Sequence, residues 1–206
     1  MASLSEIMST AATGPLLEAV LIPLTNQGKL RVTYNWLYSA LNCDPNDSSD
    51  FVWVLNKLDD THVSMSPKVP FAGRTLYTSV RDDWSWYLQV QAPFSADWIT
   101  AVGRNETLAI SGADLLIISL QGWNNQYVAV NSQLSQHDNH NGYRLQSIGS
   151  SDSNARSFFV GITQVQPGLH VPMRSELTEE HITQALASAG LPSGADTVSW
   201  LQKAVR

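Results

Sequence analysis

The sequence predicts an all-β domain made of three four-stranded units, followed by a short helical extension. Three segments resemble one another: Ser-Ser-Asp-Phe-Val-Trp-Val at 48–54, Ser-Ala-Asp-Trp-Ile-Thr-Ala-Val at 95–102 and Ala-Arg-Ser-Phe-Phe-Val-Gly-Ile at 155–162. Each segment closes a series of short strand candidates, so a unit of roughly fifty residues occurs three times. β-branched and aromatic residues dominate the strand candidates, and turn-forming residues separate them, which is typical of antiparallel β proteins.

Each unit contributes four predicted strands. In the first unit they are Leu17–Ile22, Leu30–Tyr34, Tyr38–Asn42 and Phe51–Leu55. In the second they are His62–Met65, Thr75–Val80, Trp86–Val90 and Trp98–Val102. In the third they are Leu115–Leu120, Tyr127–Val130, Tyr143–Ile148 and Phe158–Ile162.

The two ends of the chain differ from the repeats. Residues 1–11 are expected to be a leader, residues 12–166 the β domain, and residues 167–206 a linker with a helical hairpin. Thr178 is a predicted N-cap followed by two glutamates, and Gly190 ends the first helix. The second helix is expected to begin near Asp196.

Three repeats of four short strands resemble the β-trefoil, a six-stranded barrel capped by three hairpins. The resemblance covers roughly residues 12–166 and implies that Phe51, Trp98 and Phe158 point into a shared core. A β-sandwich is the main alternative, because twelve regularly spaced strands also suit two packed sheets. Among trefoils the pattern is similar to that of the ricin-B-like lectins. Their repeats end in Gln-any-Trp, whereas this chain has Ser49, Ala96 and Arg156 at the glutamine position.

Composition and charge narrow the classes of partner and compartment. The 206 residues include 12 Lys and Arg against 18 Asp and Glu, a net charge of −6 that would repel nucleic acid. Cys43 is the single cysteine, so no intrachain disulfide is possible, which suits a reducing compartment. Neither a signal peptide nor a membrane span is recognisable, and we expect a protein that is cytoplasmic or released without a signal peptide.

Several of the seven tryptophans stand beside polar turn residues, a combination that suits sugar binding. A sugar presents an apolar C–H face and a rim of hydroxyls, so its site needs an aromatic platform with nearby amides or carboxylates. Alternatively, each tryptophan plugs the end of the barrel. The predicted ligand-binding residues are Asn35, Trp36, Asp82, Asp83, Trp84, Trp123, Asn124, Asn125 and Tyr127.

Catalytic and metal-binding patterns are weak. No nucleophile elbow, zinc-binding His-Glu-any-any-His helix or phosphate-binding glycine loop occurs, so we expect no enzyme, no catalytic residue and no cofactor. His137, Asp138, Asn139 and His140 offer metal donors at close spacing but no third ligand, and a solvated polar loop is the better explanation. We therefore expect no metal site.

These observations favour a non-enzymatic, lectin-like protein whose partners are glycans or glycoproteins. The alternative is a trefoil that binds proteins, as a protease inhibitor or a receptor-binding toxin component, through the polar loops 135–142 and 150–155. The apolar stripe of the tail (Ile182, Leu186, Val198, Leu201 and Val205) packs either on the β domain or on a second copy, so a homodimer through residues 175–206 is also possible.

Overall fold

A computed structural model gives the fold. The residues it describes are 2–25, 28–34, 39–44, 49–69, 76–80, 86–90, 107–122, 125–137, 140–148 and 153–206. Twelve strands and three α-helices lie in this part of the chain.

The strands are short, as the alternating patterns predict. They are β1 (Gly14–Pro23), β2 (Lys29–Tyr34), β3 (Ser39–Asp44), β4 (Trp53–Lys57), β5 (His62–Pro67), β6 (Leu76–Val80), β7 (Trp86–Val90), β8 (Leu108–Ser111), β9 (Ile117–Gln121), β10 (Tyr127–His137), β11 (His140–Ile148) and β12 (Ser157–Val165). The helices are α1 (Leu4–Thr10), α2 (Glu179–Ser188) and α3 (Ala195–Val205), with a 3-10 turn at Arg174–Glu176.

Six of the strands form a closed antiparallel barrel. β12 pairs with β1, β1 with β4, β4 with β5, β5 with β8 and β8 with β9. The ring closes where β9 pairs with β12, with Phe158 opposite Ile118 and Phe159 opposite Ile117. Closure satisfies the hydrogen-bonding groups that the outer strands of an open sheet would expose.

The other six strands form three hairpins at one end of the barrel. β2 pairs with β3, β6 with β7 and β10 with β11, and β3 joins the hairpins by pairing with both β7 and β11. Each unit therefore supplies two barrel strands and one hairpin. The fold is a β-trefoil with a C-terminal helical extension, as the sequence predicts.

The predicted closing strand of the second unit, Trp98–Val102, lies outside the described residues. The barrel strand that pairs with β5 and β9 is β8 (Leu108–Ser111), which the sequence patterns do not predict. β8 was missed because it has four residues, with only Leu108 and Ile110 on its buried side.

The core aromatic of the first unit is shifted from its predicted position. Phe158 is fully buried as expected, and Trp98 lies outside the described residues. In the first unit the core position belongs to Trp53, which is fully buried and donates from Nε1 to the Leu30 carbonyl at 2.9 Å. Phe51 is half-buried beside Trp53, with ring centroids 5.0 Å apart. Phe51 and Trp53 are two positions apart and so lie on the same face of an extended chain, which is why the alternating pattern allowed either to face the core.

The barrel is apolar on its outer surface where β1 pairs with β12. Side chains of a strand alternate between faces, and Ala19 lies inward because its partner Trp53 fills the core. Val20 and Ile22 therefore point outward, as do their partners Gly161 and Phe159. All four residues are nevertheless buried, so another part of the chain must cover this outer surface.

The tail helices cover it. A Cβ placed on Gly161 would lie 2.6 Å from Val205 Cγ2 of α3, so the absent side chain is what lets the helix approach the barrel. All five members of the predicted apolar stripe are buried within the same chain. The stripe thus packs within its own chain. A homodimer through residues 175–206 would need a different surface.

The ends of α2 match the sequence pattern. Thr178 caps the helix by accepting from the His181 N–H through Oγ1 at 3.3 Å. At the other end Gly190 has a φ of 68°, and the Leu191 N–H donates to the Leu186 carbonyl at 2.9 Å. A left-handed glycine with this six-to-one hydrogen bond is a Schellman motif, which turns the chain toward α3.

An ion-pair cluster links the tail to the first unit. Asp50 Oδ1 lies 2.6 Å from Lys29 Nζ at the start of β2, and Asp50 Oδ2 lies 2.6 Å from Arg174 Nη1 in the 3-10 turn. Partial burial tends to raise the pKa of Asp50, but hydrogen bonds and charges from Lys29 and Arg174 outweigh it and hold the pKa below its usual value. The carboxylate therefore stays ionised and bridges the two segments.

The N-terminal segment, predicted to be a leader, folds as helix α1 at the end of the barrel opposite the hairpins. Ser3 and Glu6 form a capping box, and Leu4, Ile7 and Met8 are buried. The Leu4 N–H donates to the carbonyl of Ala113 in the β8–β9 link at 3.0 Å. Lys57 Nζ at the end of β4 donates to the Ala11 carbonyl at 2.8 Å. The segment thus contacts two of the links at this end and covers it.

We expect Leu201→Ala to destabilise the whole protein by about 2–5 kcal/mol, because the buried leucine of α3 leaves a cavity between the tail and the core. Lys203→Ala on the exposed side of the same helix should change the free energy of unfolding by less than about 0.5 kcal/mol. Chemical denaturation followed by far-UV circular dichroism measures both. An unfolding transition of the β domain that is identical in Leu201→Ala and wild type would contradict the docking of the tail.

We expect Asp50→Asn to lower stability above about pH 4, where the wild-type carboxylate is ionised in the unfolded chain as well. Because the folded-state pKa is depressed, this contribution is lost as the pH falls through it, so the two proteins should converge in melting temperature at more acidic pH. Thermal melts from pH 2 to pH 7 check this. A difference that is constant across the range would show that charge is not the cause.

Candidate functional site

Most of the predicted ligand-binding residues fall outside the described part of the chain. Seven of them do so: Asn35, Trp36, Asp82, Asp83, Trp84, Trp123 and Asn124. Asn125 and Tyr127 are described. Their surroundings define a candidate site, while the contribution of the other seven remains a prediction.

The three tryptophan-containing loops are not equivalent in the trefoil. Residues 35–38 join β2 to β3 and residues 81–85 join β6 to β7, so both connect the strands of a cap hairpin. Residues 123 and 124 instead fall in the link from β9 to β10, between a barrel strand and a hairpin. The hairpin link of the third unit is 138–139, between His137 and His140. The three tryptophan-containing segments therefore do not share one position in the repeat.

The β9–β10 link is fixed by hydrogen bonds across its base. Gln121 Nε2 donates to the Asn125 carbonyl at 2.5 Å, and the Gly122 N–H donates to the Gln126 carbonyl at 2.9 Å. Asn125 has a φ of 57°, a left-handed conformation that asparagine tolerates better than most residues. Asn125 is exposed, so its side-chain amide is accessible to solvent. The two hydrogen bonds hold the backbone that carries it.

Tyr127 forms the aromatic part of the site with an arginine from another link. The Arg156 guanidinium carbon lies 4.5 Å from the centroid of the Tyr127 ring, and both side chains are half-buried. Arg156 belongs to the turn that precedes β12, where Ser157 Oγ donates to the Ser153 carbonyl at 2.6 Å. A cation–π contact of this kind contributes about 0.5–1 kcal/mol. It joins the β9–β10 and β11–β12 links into one surface.

Gln126 supplies an unpaired acceptor. Its Oε1 is buried, and none of the residues that the structure describes donates a hydrogen bond to it. An unsatisfied buried acceptor costs about 1–3 kcal/mol, so such a group is unusual in a stable fold. Together, Gln121, Asn125, Gln126, Tyr127 and Arg156 make up what we call the third-unit site. It combines an aromatic ring, a cation, an exposed amide and an acceptor without a donor.

The polar segment predicted as a protruding loop at 135–142 is mostly regular structure. Ser135, Gln136 and His137 on β10 pair with Gly142, Asn141 and His140 on β11. Its polar residues belong to a long hairpin, and their polarity reflects a strand pair rather than a flexible loop. The inhibitor-type alternative thus loses one of the two loops on which it was based.

The cysteine lies in the core of the cap. Cys43 is on β3 and fully buried, and burial raises the pKa of its thiol well above the usual range despite the opposing charge of Arg31. A protonated thiol without access to solvent is not a nucleophile.

The β4–β5 turn brings together charged groups for structural reasons. Asp59 accepts hydrogen bonds from the backbone N–H groups of Thr61 and His62, each at 2.8 Å. These hydrogen bonds, led by that of Thr61, and the contact with His62 lower the pKa of Asp59 to about 2. The carboxylate therefore serves to close the turn.

Metal and membrane signals are both negative where the chain is described. In that part no group of three or more His, Cys, Asp or Glu side chains could hold a metal ion. Its helices are also too short or too polar to cross a membrane.

Three residues of the third-unit site were missed in the sequence, namely Gln121, Gln126 and Arg156. Arg156 stands where the ricin-type pattern has glutamine, and this departure was a usable signal that the position differs chemically. Gln126 lies between two predicted residues, but nothing in the sequence indicates that its side chain lacks a partner. Only the packing of the link makes that visible.

Comparisons with known proteins add little to the geometry. No protein-family model matches the chain, and no curated protein matches it. Among solved structures, the chain is similar to the crystal structure of a designed threefold-symmetric protein, ThreeFoil. The TM-score is 0.45 and the identity 10%, with 69% of this chain and 96% of that chain covered.

We expect Gln126→Leu to leave stability unchanged or to raise it, because the substitution removes an acceptor that has no hydrogen bond to lose. Gln121→Leu is the matched control. It removes the hydrogen bond to the Asn125 carbonyl and should destabilise by about 0.5–1.5 kcal/mol. Urea unfolding measures both free energies. A loss in Gln126→Leu as large as that in Gln121→Leu would mean that the Gln126 side chain is satisfied.

Proposed function

We propose that the protein binds carbohydrate without chemically changing it, as a lectin-like β-trefoil. The third-unit site carries this proposal, because it combines an aromatic residue, an exposed amide and an unpaired acceptor on a fixed backbone. Saccharides are recognised by such combinations of aromatic rings and planar polar groups. The partners would be glycans or glycoproteins.

The unpaired Gln126 Oε1 is the single observation that favours a ligand over a purely structural role. Saccharide hydroxyls are donors as well as acceptors, and a donor at this position would remove the cost of the unsatisfied oxygen. Because the oxygen is buried, the Gln126 side chain must shift slightly as the ligand enters. Functional sites often retain polar groups that the unliganded fold does not satisfy.

The chain differs from the ricin-B-like lectins in the motif that ends each repeat. Its closing segments lack Gln-any-Trp, and Arg156 takes the glutamine position in the third unit. A single weak site gains apparent affinity when a second site on the same domain engages the same glycan. The tryptophans of the first two hairpin links, Trp36 and Trp84, are the candidates for further sites.

A glycan array followed by NMR titration with ¹⁵N-labelled protein tests the proposal. We expect millimolar or tighter binding of at least one glycan, with shifts of the Gln126 and Tyr127 amides. Tyr127→Ala should weaken this binding at least tenfold, because it removes the aromatic surface and the support of Arg156. Tyr77→Ala, on β6 of the second unit, is the control at another aromatic position.

Two outcomes would count against the proposal. Absence of binding to every glycan at millimolar concentration would remove it, provided that the thermal melt shows a folded protein. Binding that is unaffected by Tyr127→Ala would move the function away from the third-unit site and toward the hairpin links.

A further inference from the structure

We propose that Gln121 is the positioning residue of the third-unit site: it holds Asn125 and Gln126 in their binding arrangement without itself contacting the saccharide. This inference rests on the proposed function and adds to it how the site is kept in order. It follows from the place of Gln121 on β9 and from the hydrogen bond that its side chain makes across the β9–β10 link.

Gln121 lies on a strand that is paired on both sides. It is the last residue of β9, and it stands opposite Ala109 of β8 and Tyr127 of β10. β9 also closes the barrel against β12. Paired strands of a core open less readily than the links between them, so β9 provides a fixed point. A side chain that starts from this point can order the segment beside it.

The β9–β10 link depends on two hydrogen bonds across its base. The Gly122 N–H donates to the Gln126 carbonyl at 2.9 Å, and Gln121 Nε2 donates to the Asn125 carbonyl at 2.5 Å. The first bond joins two backbone groups, whereas the second is made by a side chain. A substitution at Gln121 therefore removes the second bond and leaves the backbone groups of the first in the chain.

The residue that Gln121 holds has a backbone conformation that needs support. Asn125 has a φ of 57°, and L residues favour negative φ because the left-handed region brings Cβ close to the backbone. Asparagine tolerates this region better than most residues but does not prefer it. The carbonyl that accepts from Gln121 belongs to the peptide unit between Asn125 and Gln126. Loss of the bond therefore removes an interaction that favours the left-handed conformer.

A change of conformation at Asn125 would displace the polar groups of the site. The Asn125 amide is exposed, and the next residue carries the buried acceptor Gln126 Oε1. Both side chains are directed by the same peptide unit, so a link that leaves the left-handed conformation presents neither of them correctly. The apparent affinity of a site falls with the fraction of molecules in the competent conformation. Gln121 thus acts on affinity through the link, while the barrel strands stay paired.

The test compares two substitutions at Gln121. Gln121→Met keeps the length of the side chain but has no donor, whereas Gln121→Lys retains one in its ammonium group. Each full-length protein is titrated, with NMR detection, with methyl glycosides of glucose, galactose and mannose and with the tightest-binding glycan of the array. We expect Gln121→Met to weaken binding about threefold to tenfold, the range of one hydrogen bond, and Gln121→Lys to restore most of it.

A spectroscopic signal separates positioning from a general loss of stability. A residue with positive φ gives a strong NOE between its own amide and Hα protons, because the two protons are close. We expect this NOE at Asn125 in the wild type and in Gln121→Lys, and a weaker one in Gln121→Met. All titrations are run well below the melting temperature, where nearly every molecule is folded, so a change in stability alone does not alter the affinity.

Gln184→Met is the matched control. Gln184 Nε2 on α2 donates to Glu180 Oε1 at 3.3 Å, so this substitution also removes a glutamine hydrogen bond, but away from the site. It should keep both the Asn125 NOE and the affinity of the wild type.

Three results would overturn the inference and leave the proposed function standing. They are unchanged affinity in Gln121→Met, an Asn125 NOE that stays at full strength in this variant although binding weakens, and an equal loss of affinity in Gln121→Lys. Failure of the wild type to bind any of the three glycosides or any glycan of the array would instead remove the proposed function.

Discussion

The fold depends on the two edges of strand β12. One edge pairs with β1 from Leu17 opposite Val165 to Pro23 opposite Phe158, and the other pairs with β9. The last strand of the third unit thus joins the first strands of the first and third units, and the barrel has no open edge. Without this closure the sheet would present two rows of unpaired backbone groups, and the cap hairpins would lose the frame on which they pack.

Closure also determines what the chain ends must do. Because β12 and β1 carry outward-facing apolar residues, the barrel is not complete until α3 covers them, and Gly161 is the position that allows contact with Val205. α1 likewise covers the end of the barrel that the hairpins leave open. The helices that looked peripheral in the sequence are therefore part of one hydrophobic core.

Local sequence patterns predict where strands form but not which strand closes each unit. Alternation of apolar and polar residues is a local property, and it located eleven predicted segments on strands of the structure. Which segment closes a unit depends on pairing between distant strands, and the local patterns do not predict that Leu108–Ser111 pairs with β5 and β9. The same limit applies to the site. Tyr127 begins β10 and Arg156 lies in the turn before β12, and only the joining of β9 to β12 brings them together.

A threefold scaffold does not imply three copies of one site. The trefoil places each unit in an equivalent position, but the third unit has Asp138 and Asn139 in its hairpin link where the first two units have tryptophan-containing segments. Its aromatic residue stands at the start of the hairpin, and its cation comes from the turn that follows the hairpin. The units therefore kept the backbone arrangement, which closure of the barrel requires, while their surface chemistry diverged. Selection for the fold constrains the buried alternation in every unit, whereas selection for a ligand can act on one unit alone.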